Sequence, residues 1–278
     1  MLDGYEGPIF SPSQTKVFLN CPMLWYLSYQ QKFQGRAYGH MEIAGAVGSA
    51  FSIFQEFLGE GPEAAQLRAE QSLTEELFKL RSTRIVQSAA QVYEDAAPDR
   101  LKKLISLFAE KPVIPMSWTL FDQERQFARW GNARVDSLYE DSMGEIGVLD
   151  YKTRGRIQKN QWAKTRREFA TSDQLMHYCC MVQEELGVKC NSASILMMSL
   201  MPHKYIDLYQ YTFRQETLNV WLQGRKQVWQ DMQECKDGNR TPHMAAIHED
   251  KFGDCRFLDL CFRHGFNEQL ISADFLKR

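Results

Sequence analysis

Two acidic residues and a lysine carry the most specific chemical suggestion in this chain. Asp150 and Lys152 flank Tyr151 in a run, Glu145–Lys152, that reads as a β-strand. Residues two apart on a strand share a face, so Asp150 and Lys152 point one way and Tyr151 the other. The preceding run, Asn132–Tyr139, reads as the other arm of a hairpin closed by Asp141-Ser142-Met143-Gly144. Across that hairpin Asp136 comes level with Asp150. Two converging carboxylates beside a lysine suit a hard divalent cation such as Mg²⁺ or Mn²⁺, which prefers a few carboxylates plus water and phosphate oxygens. Such a cation would activate water and stabilise charge on phosphorus, with Lys152 orienting the nucleophile. Glu124, on the preceding strand, could add an oxygen. Each of these residues taken singly reads equally as a surface Asp, Glu or Lys.

The elements that must position them follow from local pattern. Ser11-Pro12-Ser13-Gln14-Thr15 opens a short helix, Cys21-Pro22 ends it, and Pro22 starts the aromatic helix of Trp25, Tyr26 and Tyr29. Gly45–Leu58 carries a helical apolar face, and residues 62–110 read as two or three further helices. Beyond Pro112 and Pro115 the pattern turns to strands: Trp118–Phe127, Asn132–Tyr139, Glu145–Lys152, then Ser192–Met201 and Tyr205–Phe213. Helices are expected over 158–186 and from Gln215 to about Cys235, and the tail from Lys236 is irregular until Phe257. The sum is one mixed α/β domain over residues 1–278 with a helical insertion at about 60–112.

In order, Glu124, Gly131-Asn132-Ala133-Arg134-Val135-Asp136, Val148-Leu149-Asp150-Tyr151-Lys152 and Gln174-Leu175-Met176-His177-Tyr178 resemble the PD-(D/E)XK nucleases. The similarity is to the branch holding RecB- and AddB-type nuclease domains, CRISPR-adaptation exonucleases and stand-alone phage exonucleases. The resemblance implies a restriction-endonuclease-like α/β core, a mixed sheet with an antiparallel hairpin flanked by helices. It also implies a metal-dependent deoxyribonuclease, an exonuclease acting at DNA ends in recombination, repair or phage DNA processing. Asp136 and Asp150 would bind Mg²⁺ or Mn²⁺, with the Tyr151 carbonyl, Glu124 assisting and Lys152 aiding the nucleophile. Gln174 and Tyr178, four apart and so on one helical face, would contact phosphate or the attacking water.

Two departures qualify that reading. The branch carries a Gly-x-x-x-His helix, and here Gly48-Ser49-Ala50-Phe51 leads to Ser52, a poor metal ligand. A catalytically inactive DNA-end-binding or recombination-partner module of the same fold is the alternative, and a structural metalloprotein unrelated to DNA is a third. Relatives also hold a [4Fe-4S] cluster. Cys21, Cys255 and Cys261 match three of its positions, Phe252 stands where many relatives have cysteine, and His248 or Glu249 falls where phage relatives place the remaining ligand. That set suits an iron–sulfur cluster, tetrahedral zinc, or simply buried thiols packing the two termini together.

Charge and composition bound the partners. Thirty-three basic against thirty-five acidic residues, net −2, exclude a protein held to nucleic acid by bulk charge. Lys152, Arg154, Arg156, Lys159, Lys164, Arg166 and Arg167 fall within sixteen residues free of acids, leaving 26 basic residues against 35 acidic ones elsewhere. A basic run is usually a solvated face, but this one begins at the proposed catalytic lysine and reads as the wall that tracks DNA phosphates. Trp162 within it could stack on a base of single-stranded DNA or fill the core. The polar, acidic Met1–Glu6 is not a secretory signal, and the longest apolar stretch, near Ile195–Met201, is too short for a bilayer. Seven cysteines fit reduced thiols in a prokaryotic or phage-infected cytoplasm. DNA, single-stranded or at duplex ends, is the expected partner, with a recombination protein or a second copy of the chain open.

Overall fold

In the computed structural model, described over residues 5–35, 37–131, 133–154, 159–200, 204–245 and short stretches of the tail (249–250, 253–255, 257, 260–261, 275–277), a five-stranded mixed sheet divides the helices into two layers. Its strands are β1 (Thr119–Phe121), β4 (Ser137–Glu140), β5 (Ile146–Arg154), β6 (Ser192–Ser199) and β7 (Tyr205–Thr212), in the order β7-β6-β5-β4-β1. Between β1 and β4 a separate hairpin is formed by β2 (Arg125–Phe127) and β3 (Ala133–Val135). The long helices are α1 (Pro12–Asn20), α2 (His40–Glu56), α3 (Pro62–Thr83), α4 (Ala97–Glu110), α5 (Trp162–Ala170), α6 (Asp173–Leu186) and α7 (Gln215–Lys236).

Strand β5 is the axis of this arrangement. It pairs antiparallel with β4, Ser137 opposite Leu149, and parallel with β6, Asp150 opposite Ile195. A parallel pair needs a crossover, which α5 and α6 supply. Alternation along β5 then sorts its side chains: Val148 packs with α6 and α7 on one face, Leu149 with α2, α3 and α4 on the other. Asp150 falls on the Val148 side. The turn closing β4 to β5 has the expected chemistry, with Gly144 at φ 74° and Asp141 Oδ1 accepting the amides of Met143 and Glu145.

The expected α/β class with a helical insertion is what the chain forms, and three expected elements are broken, the first being Asn132–Tyr139, which divides at Asp136 into β3 and β4. Trp118–Phe127 is not one strand. Asp122 (φ 47°) and Glu124 (φ 54°) adopt the left-handed conformation, so β1 stays on the main sheet while β2 leaves it to pair with β3. The helix expected over 158–186 stops at Ala170 and restarts at Asp173, with Ser172 extended between (φ −70°, ψ 121°). Elsewhere the expectations hold. Ser11 caps α1, accepting from Gln14 N, and Pro22 sits in the first turn of the helix Pro22–Trp25, whose start is capped by Cys21 Sγ. Residues 62–110 are helical apart from the link between α3 and the short helix Gln91–Asp95 that precedes α4.

The chain's two ends meet. Phe33–Gly35 pairs antiparallel with Phe275–Lys277, and Leu27, Phe257 and Leu260 bury one another, with Cys255 and Cys261 packed at the edge of that cluster.

Candidate active site

Asp136 is placed by the end of a ladder. The β4–β5 pairing stops at Ser137–Leu149, because at Asp136 the chain bends away into β3. The next amide on β5, Tyr151 N, therefore has no strand carbonyl on that side and donates instead to Asp136 Oδ2 at 2.7 Å. An interior amide needs an acceptor, and here a side chain supplies it. The same bend leaves the Asp136 carbonyl to accept from Glu124 N at 3.0 Å, which fixes Glu124 against the site.

Asp150 is fully buried and surrounded by donors. Lys152 Nζ lies 2.7 Å from Oδ2 and donates to Oδ1 at 3.0 Å, and Gln174 Nε2 donates to Oδ1 at 3.0 Å. Gln174 Nε2 also reaches the Tyr178 hydroxyl at 2.7 Å, one helical turn further along α6. The break at Thr171-Ser172 is what lets α6 start here: its first turn, with the positive end of its backbone dipole, faces the buried carboxylate.

Burial and crowding show in the titration of these groups. Asp136 is pushed up to about 7, first by burial and then by the Asp150 charge. Asp150 is also raised by burial, against the pull of Lys152. Burial disfavours charge on Lys152, but the Asp150 and Asp136 carboxylates outweigh it and hold the ammonium protonated. Tyr178 and Tyr151 are raised by burial and by the neighbouring carboxylates, so both remain phenols.

Glu124, Asp136, Asp150, Lys152, Gln174 and Tyr178 are thus brought into one neighbourhood. Ser52, in the position of the missing histidine, faces it too, its hydroxyl beside Glu124 while donating to Gly48 O at 3.4 Å. A divalent cation fits the two aspartates: Asp150 is buried and Asp136 partly so, and the charge on Asp150 raises Asp136, a repulsion that a cation between them would relieve. Among the described residues, however, no three His, Cys, Asp or Glu side chains are drawn together as a finished ligand set, here or at the cysteines. Cys261 is pushed up to about 11, first by burial and then by Cys255 and Cys21, so the thiols do lie near one another. Cys255 and Cys261 pack at the edge of an apolar cluster, and His248 lies outside the described residues. Nothing in the described residues supports the expected iron–sulfur or zinc site, and those two cysteines pack against Leu27, Phe257 and Leu260.

The basic run is only partly a free cationic wall. Arg154 pairs with Glu168 and Arg166 with Asp207, each at 3.2 Å, and Lys152 is spent on Asp150. Lys164 and Arg167 are exposed on α5 with no carboxylate partner among the described residues. Arg156 and the Lys159 side chain lie outside the described residues. Trp162 packs its ring 4.5 Å from that of Tyr205 and is half-buried. His177 is buried, enclosed by Trp130, Trp221 and Trp229. The residue that sequence reasoning passed over is Arg134. It stands in the quoted motif, two before Asp136, and its Nε is 2.6 Å from Glu124 Oε2.

With this geometry in hand, comparison with known proteins places the chain. The family model of the PD-(D/E)XK nuclease superfamily matches residues 9–262, and the chain belongs to that superfamily. No curated protein matches it. Among solved structures, it is similar to a Eubacterium rectale protein named provisionally as an exonuclease, at 12% identity and TM-score 0.47, covering 95% of this chain and 92% of that one. It also resembles SSO0001, at 13% identity and TM-score 0.27, over 82% of this chain and 87% of that one.

Proposed function

We propose that this member of the nuclease superfamily hydrolyses DNA phosphodiester bonds with Mg²⁺ or Mn²⁺, working from DNA ends. The observation that carries the reading is the buried Asp150–Lys152–Gln174 network lying against Asp136. Asp136 and Asp150 would hold the cation, which when bound supplies an activated water and offsets charge developing on phosphorus. Lys152, kept protonated, lies where it can bind that water or the attacked phosphate oxygen. Gln174 fixes the orientation of the Asp150 carboxylate, and Tyr178, as a phenol, fixes Gln174 and can donate to phosphate. Lys164 and Arg167 flank the site as phosphate contacts. All seven cysteines are free, in keeping with a reducing cytoplasm, and no helix among the described residues is long and apolar enough to cross a membrane.

Labelled linear DNA incubated with Mg²⁺ or Mn²⁺ tests this. The wild type is expected to degrade it, and Lys152→Ala and Asp150→Asn are each expected to slow cleavage by about 10²-fold or more. Covalently closed circular DNA should be spared if action begins at ends. A wild type that binds DNA but leaves it intact in both metals overturns the reading in favour of a DNA-binding module. Cleavage of closed circles removes only the requirement for ends.

A further inference from the structure

The pairing of Glu124 with Arg134 does not suit a carboxylate reserved for a metal. We propose that Arg134 is a phosphate-gripping residue of the active site and that Glu124 serves to aim it, an inference that rests on the nuclease reading above.

Several features converge on this. Arg134 occupies the middle of β3, between the buried Ala133 and Val135, and its own side chain is 55% exposed. Only Nε is taken up by Glu124; among the described residues the terminal nitrogens of the fork have no partner. A guanidinium anchored through Nε with its fork turned to solvent is prepared to take a phosphate by two donors at once. The charge also lies in the right place. It is two residues from Asp136, and it acts on the Tyr178 hydroxyl, which Gln174 links to Asp150.

Glu124 is built for anchoring. Its side chain is 11% exposed, its backbone is held in the left-handed conformation by the bond to Asp136 O, and neither oxygen accepts a well-formed hydrogen bond. At φ 54° the chain turns between β1 and β2, and the Glu124 side chain meets Arg134. Arg134 supplies the positive charge at this spot from the protein itself. The site would then grip DNA from two sides, with Lys164 and Arg167 on α5 and Arg134 on β3.

Fluorescence anisotropy of a labelled oligonucleotide in EDTA, where no cleavage occurs, separates the two roles when combined with a Mn²⁺ titration of cleavage. Arg134→Ala is expected to weaken DNA binding about ten-fold, the scale of one charge-assisted contact, and Arg134→Lys by less. Glu124→Gln should weaken binding in the same assay, with no added loss in the double variant. The Mn²⁺ concentration for half-maximal cleavage should stay unchanged in all of them. Wild-type binding by Arg134→Ala would overturn the proposal, as would a Glu124→Gln variant that binds DNA normally but needs far more Mn²⁺. The nuclease reading fails on a different result, a wild type that cleaves no DNA in either metal.

Discussion

His177 shows what a titratable residue does when the fold gives it no water. Its ring is enclosed by three tryptophans, Nε2 has no partner, and burial, with Arg225 nearby, lowers its pKa to about 3. In the unfolded chain it titrates near 6.5. Between those values the unfolded state binds a proton that the folded state refuses, so stability falls as pH falls, by up to about 1.4 kcal/mol per pH unit. Urea denaturation of wild type and His177→Asn across this window should give a smaller slope in the variant, whatever its absolute stability; equal slopes would show that His177 is charged in the fold. At this scale the sequence was legible wherever spacing alone sets direction. Asp150 and Lys152 on one strand face, and Gln174 with Tyr178 on one helical turn, are cases of that. The Arg134–Glu124 pair was not legible, because it depends on a chain reversal that separates β2 from β1.

At the scale of elements, the turn that joins β2 to β3 depends on a glycine. Gly131 follows Trp130 at φ 65°, and a Cβ there would come within 2.6 Å of Ser11 N and 2.9 Å of Ile9 O. The segment Ile9–Ser11 thus passes the turn before β3 at backbone contact distance, and only a residue without a side chain allows it. Gly187 has the same φ, 66°, with nothing within 4 Å of its would-be Cβ. Gly187→Ala is therefore expected to cost about 1 kcal/mol through φ alone, and Gly131→Ala at least about 2 kcal/mol more, since backbone must move. Thermal melts should separate the two variants by roughly 4–8 °C; equal melting points would mean the segment is not in contact. Strand and helix breaks at Asp122, Glu124 and Ser172 escaped a sequence reading for a related reason. The flanking residues keep a strand or helix pattern, and what interrupts them is the competing pairing of β2 with β3 and the docking of α6 on Asp150. Ser172-Asp173 did carry a helix-start signal of its own.

Across the whole molecule, charge is arranged by pairing rather than by accumulation. The near-neutral total hides a basic stretch, yet Glu168 and Asp207 reach back into that stretch and cancel Arg154 and Arg166. Glu168 lies 14 residues from Arg154 and Asp207 lies 41 from Arg166 in sequence; in space each pair is in contact, which composition cannot reveal. Fewer cations are then left for DNA than the run suggests. Replacing Lys164 and Arg167 together with alanine is expected to lower the magnitude of the slope of log K against log salt by about 1.5, the release of about two counterions. An unchanged slope in titrations between low and moderate salt would place the DNA path elsewhere.

The amide of Tyr151 gives the site a property beyond its chemistry. Because a carboxylate, not a neighbouring strand, holds that N–H, the backbone of β5 is tied at this point to the charge state of Asp136. Any change of charge at that carboxylate, by proton or by ligand, alters the grip on a main-chain group in the centre of the sheet. The centre of the sheet is thus coupled to the charge of Asp136, one residue away from both Asp150 and Lys152.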